Sequence, residues 1–426
     1  MYHTCAILSS SSVRCWGYNV SGQLGYNNTI DQGGIVGSMV ALLDINLGVG
    51  RTAKAITVGQ QHTCVILDDN NVKCWGANDS GQLGYSDTIN RGNTAGSMAA
   101  LGTVNLGTGR TAKAISAALY HTCAILDDNS VKCWGANHKG QLGYDDMVNR
   151  GATAGSMAAL APVNLGTGRT AKAISAGGNT TCAILDNNSL KCWGDNSLGQ
   201  LGSGLPDNAG STPGSMAQLA PINFGTDTYR IKSVSTGYDH VCAISSLAVS
   251  LIHDVDGLWC WGNGRYGALG RGSVANASVP VRSLQLGGYK ISNVVVAGKN
   301  MTCAIVSWYG YGTPEVICVG FNQYGQLGYG DTTNRGDASN MYCSIVAPFD
   351  CSLSLTSIAL GKYLSSNNLS VPFISNGGGS STCAILWNNQ LQCWGWNKYG
   401  QLGYDDKLNR GENAWDMERL SNVKFK

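Results

Sequence analysis

The sequence predicts an all-β chain, a seven-bladed β-propeller built from seven repeats of about 59 residues. Three observations predict it. One unit recurs seven times, every unit carries two cysteines at corresponding positions, and every unit holds three or four short apolar runs bounded by Gly, Asn and Asp. At roughly 100 to 200 residues per domain the length alone suggests two to four domains. The repeat makes residues 1–426 a single propeller domain, with an insertion at 337–376 between units six and seven.

Thr63 to Gly84 reads TCVILDDNNVKCWGANDSGQLG, and Thr122 to Gly143 reads TCAILDDNSVKCWGANHKGQLG. The first Cys of each unit falls at Cys5, Cys64, Cys123, Cys182, Cys242, Cys303 and Cys383. The second falls at Cys15, Cys74, Cys133, Cys192, Cys260, Cys318 and Cys393. A Trp-Gly pair follows in six units, and Val319-Gly320 replaces it in unit six. Within one unit Ala114–Ala117, Thr122–Leu126 and Val131–Trp134 read as strands in that order. Pairing Leu67 with Asn71 leaves a three-residue loop, Asp68-Asp69-Asn70, whose last residue takes the left-handed conformation that Asn tolerates. Asn129, Asn188 and Asn389 hold the same position. This register sets Ile66 opposite Val72 and Cys64 opposite Cys74 on one face of the hairpin. Opposed Cα atoms about 4.5 or 5.5 Å apart suit a disulfide, which accepts about 4.4 to 6.8 Å.

Radial closure buries every blade between two others, whereas an elongated β array leaves two terminal faces exposed, and neither end unit looks like a cap. Composition narrows the function classes. With 28 Lys and Arg against 26 Asp and Glu the formal net charge is +2, and the 58 glycines outnumber all charged residues together. Phosphate binding needs a concentration of basic residues not seen here, so nucleic acid is not an expected partner. No stretch approaches the roughly 18 to 20 consecutive apolar residues of a spanning helix, so membrane insertion is not expected either.

The string from His121 to Tyr144, HTCAIL, a turn, then VKCWGANHKGQLGY, resembles the repeat of the regulator of chromosome condensation family. Members of that family form seven-bladed β-propellers, and the resemblance spans almost the whole chain. It implies the fold. Function does not follow, because this propeller serves guanine-nucleotide exchange on a small GTPase, enzyme inhibition and many binding tasks. Two departures from the nuclear exchange factor stand out. The basic N-terminal tail is missing, since Met1-Tyr2-His3 enters a repeat strand at once, and paired cysteines are foreign to a nuclear protein. The run from Asp416 to Val423 aligns with Ser97 to Val104, while the chain starts at the equivalent of Tyr120-His121. A segment matching Thr108 to Leu119 is thus expected upstream of Met1, together with a signal peptide.

Sixteen cysteines divide into the seven hairpin pairs plus Cys343 and Cys351 in the insertion. Eight disulfides imply an oxidising compartment, and hence a secreted or surface-exposed, disulfide-rich family member. Sixteen reduced thiols are the alternative, and a zinc site lacks the usual two-to-four-residue ligand spacing. Sequons at Asn19, Asn27, Asn78, Asn179, Asn187, Asn276 and Asn368 are glycosylation candidates of a glycoprotein; an eighth, Asn300, lies beside a strand.

No catalytic constellation stands out, so no enzyme activity, metal or cofactor is expected. His3, His62, His121 and His240 recur before the Thr-Cys or Val-Cys step and read as strand-holding hydrogen-bond groups, not as a metal ring. Asp145, Asp146, Asp331, Asp405 and Asp406 admit calcium, but they lack its usual spacing and suit turn starts. Specificity should lie where units differ. Ile252 in the long unit-five hairpin, Trp308, Tyr309 and Tyr311 at the unit-six tip, and Phe349 in the insertion are partner-binding candidates. Trp387, Trp396, Tyr399 and Trp415 form a second aromatic concentration, which suits either blade packing or sugar stacking, and Trp396 and Trp415 of it are partner-binding candidates too. The expected function is a non-catalytic extracellular binding or structural propeller, with a protein partner or self-assembly into a surface assembly. The alternatives are a carbohydrate-binding propeller and an intracellular regulator resembling a guanine-nucleotide exchange factor.

Overall fold

A computed structural model describes residues 2–225, 229–247, 257–283, 289–308, 315–337, 380–385 and 390–425. Each unit folds into one antiparallel sheet, and seven sheets stand as blades about a common axis. The first blade pairs β1 (His3–Ile7) with β2 (Val13–Gly17). The second is ordered β3 (Ala53–Val58), β4 (His62–Leu67), β5 (Val72–Gly76), and the third β6 (Ala112–Ala117), β7 (His121–Leu126), β8 (Val131–Gly135). The fourth comprises β9 (Ala171–Gly177), β10 (Thr180–Leu185) and β11 (Leu190–Gly194). The fifth has four strands, β12 (Tyr229–Thr236), β13 (His240–Leu247), β14 (Gly257–Gly262) and β15 (Ala277–Arg282). The sixth holds β16 (Tyr289–Ala297), β17 (Met301–Trp308) and β18 (Glu315–Gly320), and the seventh β19 (Ser381–Ile385) with β20 (Leu391–Gly395).

The first strands of the second to sixth blades, β3, β6, β9, β12 and β16, neighbour one another round the axis. In other blades than the fifth the outer segment makes an isolated bridge, Gly76 to Arg91 for example. Gly92, at φ 84°, turns the chain out of the extended conformation directly afterwards. Among the described residues no helix is long and apolar enough to cross a membrane.

The predicted hairpin register holds. Cys64 faces Cys74 and Ile66 faces Val72, while Leu67 N–H donates to the Asn71 carbonyl at 2.9 Å. Asn70, Asn129 and Asn188 lie at φ 64–65°, the left-handed loop position; Asn389 is outside the described residues. Seven disulfides close, Cys5–Cys15, Cys64–Cys74, Cys123–Cys133, Cys182–Cys192, Cys242–Cys260, Cys303–Cys318 and Cys383–Cys393. Their Cα atoms are 4.0–4.1 Å apart, somewhat closer than the distance expected from the register. Cys343 and Cys351 lie outside the described residues.

Those disulfides belong to the core between blades. Trp75 of the second blade packs in one cluster with Cys5, Cys15 and Leu24 of the first, and Trp134 of the third with Cys64, Cys74 and Leu83 of the second. Trp16 of the first blade meets Leu391, Cys393 and Leu402 of the seventh in the same way, which closes the ring.

A polar latch accompanies each contact. Trp75 Nε1 and Thr63 Oγ1 both donate to the Gln23 carbonyl, at 3.0 and 2.9 Å, and His3 Nε2 lies 2.9 Å from Thr63 Oγ1. Because the threonine proton is engaged, His3 must donate through Nε2, which leaves Nδ1 a bare acceptor. His62 with Thr122, His121 with Thr181 and His240 with Thr302 repeat the pair at 2.9 Å. The histidines therefore hold blade to blade, a longer reach than the strand-holding role read from their positions. At the seam Thr4 and Trp16 donate to the Gln401 carbonyl, both at 2.9 Å.

In every unit but the fifth, where Gly264 takes its place, the loop after Trp-Gly or Val-Gly is organised by Asn. Asn78 Oδ1 accepts from Leu83 N–H, and its Nδ2 donates to the Asp87 carbonyl. The aspartates considered for calcium have other partners. Asp145 accepts from Ser215 Oγ and Met216 N–H of the next blade, and Asp405 does the same with Ser38 and Met39. Asp146, Asp331 and Asp406 pair with Arg150, Arg335 and Arg410 at 2.6–2.7 Å.

Gly140 sits at φ 79° with room for no side chain, since a Cβ there would lie 2.4 Å from Ser211 N in the next blade. Gly140→Ala should destabilise the protein by at least about 2 kcal/mol, from left-handed strain plus the backbone clash. A urea unfolding midpoint unchanged by the substitution would contradict this contact.

Candidate binding site at the channel mouth

The turns that lead into the second strand of each blade, and the loops between Trp-Gly and Gly-Gln-Leu-Gly, gather at one end of the propeller axis. Two positions in these loops vary by unit. The residue after Trp-Gly, or after Val319-Gly320, is Tyr18, Ala77, Ala136, Asp195, Asn263, Phe321 and Trp396 in chain order. The residue before the second glycine is Ser21, Ser80, Lys139, Leu198, Tyr266, Tyr324 and Tyr399. Aromatic side chains therefore collect in the fifth, sixth, seventh and first blades, and the other three carry small, polar or charged groups with Leu198.

The fold joins these aromatics into one arc. Tyr266 lies 4.8 Å from Phe321, Phe321 6.0 Å from Tyr324, and Tyr324 6.0 Å from Trp396. Trp396 meets Tyr399 at 5.6 Å and Tyr2 at 5.2 Å, and Tyr399 meets Tyr18 at 4.6 Å. All seven rings are half-buried, so each is fixed by its neighbours yet keeps surface open to solvent. Arg265 stands 4.7 Å over Tyr266 and Lys398 5.6 Å over Tyr399, adding cations to the aromatic surface.

Electrostatics tie the arc to the rest of the mouth. Burial raises the Tyr238 phenol above its ordinary value, and Asp239, Tyr120 and Tyr2 push it further the same way. Tyr2 and Tyr120, from other blades, thus act on Tyr238. Lys299 lies 5.9 Å over the Tyr238 ring. Asp239 is also raised, by burial and then by Asp195, against the opposing effect of Asn263 and Lys299. Burial raises Tyr18 too, with Tyr399, Asp31 and Tyr2 contributing. The four latch histidines lie buried beneath; desolvation lowers His3, His62 and His121 to about 3 and His240 to about 4, so they are neutral near pH 7. At the other ends of the strands a cleft of about 510 Å³ between the fourth and fifth blades is lined by Lys172, Asn188, Arg230, Lys232 and Ser246, among others.

Of the residues expected to bind a partner, Trp396 is at the centre of this arc. Trp415 is not part of it; it is 63 % exposed, with Arg419 6.0 Å over its ring, so the aromatic concentration expected in unit seven is divided. Trp387 lies outside the described residues, as do Ile252, Tyr309, Tyr311 and Phe349, and Trp308 is placed only as the last residue of β17. Sequence reasoning missed Tyr2, Tyr18, Tyr266, Phe321 and Tyr324, although aligning the two variable loop positions across units would have found all but Tyr2.

Among the sequons, Asn187 and Asn276 are exposed, and Asn27 and Asn179 are half-buried. Asn19 and Asn78 are fully buried, and each amide nitrogen donates inside its own loop, to Asn28 and Ile30 or to Asp87. Glycan attachment at either would remove the hydrogen bonds that shape the loop. Asn368 lies outside the described residues.

Comparison with known proteins agrees with this architecture. Sequence profiles of the regulator of chromosome condensation (RCC1) repeat match residues 2–23, 53–82, 112–141 and 171–200, and residues 190–244 and 256–305. The ultraviolet-B receptor UVR8 of Arabidopsis thaliana is 28 % identical over 364 residues, covering 84 % of this chain and 69 % of the receptor. The human probable E3 ubiquitin-protein ligase HERC4 is 25 % identical over 365 residues, which span 75 % of this chain but only 32 % of the ligase. Human WBSCR16 shares the fold with a TM-score of 0.66 at 17 % identity, covering 99 % of this chain and 94 % of that one. Yeast RCC1 (Prp20), solved bound to Kap60, gives 0.62 at 16 % identity, covering 99 % and 83 %. With seven blades, the recurring Cys-Trp-Gly and Gly-Gln-Leu-Gly steps and these matches, the chain belongs to the regulator of chromosome condensation (RCC1) repeat family.

Proposed function

We propose that this chain is a non-catalytic binding propeller that works outside the reducing cytosol and takes a protein partner on the aromatic arc at its channel mouth. The observation that carries the reading is the disulfide at the same hairpin register in each of seven blades. Such bridges persist in oxidising compartments and are reduced in the cytosol of most organisms. Titrating thiols in protein taken from its native source, denatured without reductant, tests the compartment. Almost no reactive thiol is expected, whereas about sixteen would favour an intracellular regulator.

The partner surface has its own test. Rigid aromatic side chains beside cations are the usual anchors of protein interfaces. Trp396→Ala should weaken capture of the native partner about 30-fold, the 2 kcal/mol of an interface hot spot. Unchanged capture would remove the arc from consideration. Specific glycan binding that is lost on the same substitution would favour the carbohydrate reading instead.

A further inference from the structure

The blades provide an internal control on the sequons, because an asparagine with a counterpart doing the same work in other units serves the scaffold. Asn276 Oδ1 accepts from Gly264 N–H at 3.1 Å, the loop bond by which Asn90 and Asn208 accept from Asn78 and Asn196. Asn27 Oδ1 accepts from Ser97 Oγ and Met98 N–H of the next blade, as Asp145 accepts from Ser215 and Met216. The sequon threonines behind Asn179 and Asn300 are Thr181 and Thr302, whose hydroxyls are engaged in the blade-to-blade latches. With Asn19 and Asn78 buried, these sequons are by-products of the repeat.

Asn187 is different. At the hairpin tip of the fourth blade it stands where the second and third blades have Asp69 and Asp128. Those carboxylates pair with Arg51 and Arg110 at 2.8 and 3.0 Å. Asn187 forgoes that ion pair, and Arg169 keeps only its other partner, Asp186, at 2.9 Å among the described residues. The turn is unchanged. Ser189 N–H and Oγ donate to Asn187 Oδ1 at 3.1 and 2.7 Å, as Ser130 donates to Asp128 Oδ1 at 3.0 and 2.6 Å. The scaffold therefore uses only the oxygen at this position, which Asp supplies equally well. A backbone N–H turns that oxygen into the loop, so Nδ2 faces away from it, on an exposed side chain, with no hydrogen bond among the described residues.

We propose that Asn187 carries an N-linked glycan, an inference that rests on the oxidising compartment read from the disulfides. Asn187-Asn188-Ser189 is the acceptor pattern on a surface turn, with no proline at its centre. The donor is a lipid-linked oligosaccharyl pyrophosphate. Nδ2 bonds to the anomeric carbon of the first sugar, the bond from that carbon to the pyrophosphate oxygen breaks, the lipid pyrophosphate leaves with the electron pair, and Nδ2 loses one proton to a base of the transferase. The tip joins β10 to β11 at the end of the strands opposite the channel mouth, so the glycan leaves the aromatic arc open.

Peptide mapping of the full chain from its native source tests this, after glycan release by peptide N-glycosidase in water enriched in heavy oxygen. Release should leave the heavy label at Asn187. Asn187→Asp, which adopts the residue of the third blade, should lower the intact mass by one glycan with no fall in melting temperature. Ser189→Ala, made in the same cells, keeps the asparagine and should lose the same mass. An unlabelled Asn187 in protein whose thiols are all oxidised overturns the glycan and leaves the compartment standing. An unlabelled Asn187 together with about sixteen free thiols overturns both. A glycan retained by Ser189→Ala also overturns the proposal, because attachment would then not depend on the acceptor pattern.

Discussion

Millimolar dithiothreitol should leave most of the disulfides of the folded protein intact, and reduction after unfolding should remove much of its stability. Among the described residues thirteen of the fourteen bridged cysteines are buried, and six of the seven bridges are buried at both sulfurs. A thiolate must reach a sulfur in line to exchange with it, so attack awaits the opening of a blade. Cys383 is the exception, half-buried in β19, and Cys383–Cys393 should be the first of these seven bridges to be reduced. Five of the hairpins enclose about ten residues, for which chain-entropy estimates give about 2–3 kcal/mol each. Seven bridges then contribute on the order of 20 kcal/mol, equivalent to about 20 °C in melting temperature for a chain of this length. Calorimetry of the oxidised and the reduced, alkylated protein measures that difference. Mass mapping of the first alkylated peptide after brief reduction identifies the first bridge to open. Equal melting of both forms, or first reduction at Cys64–Cys74, would contradict the packing described.

Acid should unfold the protein well above the pH at which carboxylates protonate. His3, His62 and His121 have Nδ1 buried with no hydrogen-bond partner among the described residues, so a proton there would be a buried, unsatisfied charge. Desolvation holds these three at about 3 and His240 at about 4, against 6.5 for the unfolded chain. Between those values the unfolded state binds more protons than the folded state, so unfolding becomes easier as pH falls. The latch contribution is complete above pH 6.5 and is lost progressively down to about 3 or 4. Each histidine gives about 1.4 kcal/mol per pH unit within that window, and four give several. Melting temperature measured from pH 8 to pH 4 should fall steeply below 6.5. His62→Thr with His121→Thr adopts the residue that the fourth unit uses at Thr180 and should roughly halve that slope, whatever it does to stability at pH 8. A slope unchanged by the double substitution would mean that other groups govern acid stability. On the alkaline side burial raises Tyr26 and Tyr404 to about 12, so their contribution is lost as pH rises above 10.

Local chemistry made much of the scaffold legible before any coordinates. Leu67, Asn70 and Asn71 fix the hairpin loop, the loop fixes the register, and the register brings Cys64 opposite Cys74. Each step lies within about ten residues, so one unit contains all the information it needs, and seven units repeat it. The aspartates were legible as turn residues, but Asp145 also accepts hydrogen bonds from residues some 70 positions away. The candidate site was less accessible. Trp396 and Tyr399 were named, but their respective neighbours Tyr2 and Tyr18 lie at the other end of the chain. Two sequons looked alike on paper to the rest, yet Asn19 and Asn78 turn inward because their amides build the loop.

By itself the sequence determined the number of blades, the strand order within a blade, the loop conformation and the pairing of cysteines. These depend on turn chemistry and on alternation over a few residues, which a chain specifies locally. Tertiary structure decided which side chains meet across the seam, which asparagines face water, and that six aromatic positions scattered over four repeats join with Tyr2 in one surface. Ring closure decides them, because it sets the first and last blades side by side and makes neighbours of residues nearly four hundred positions apart.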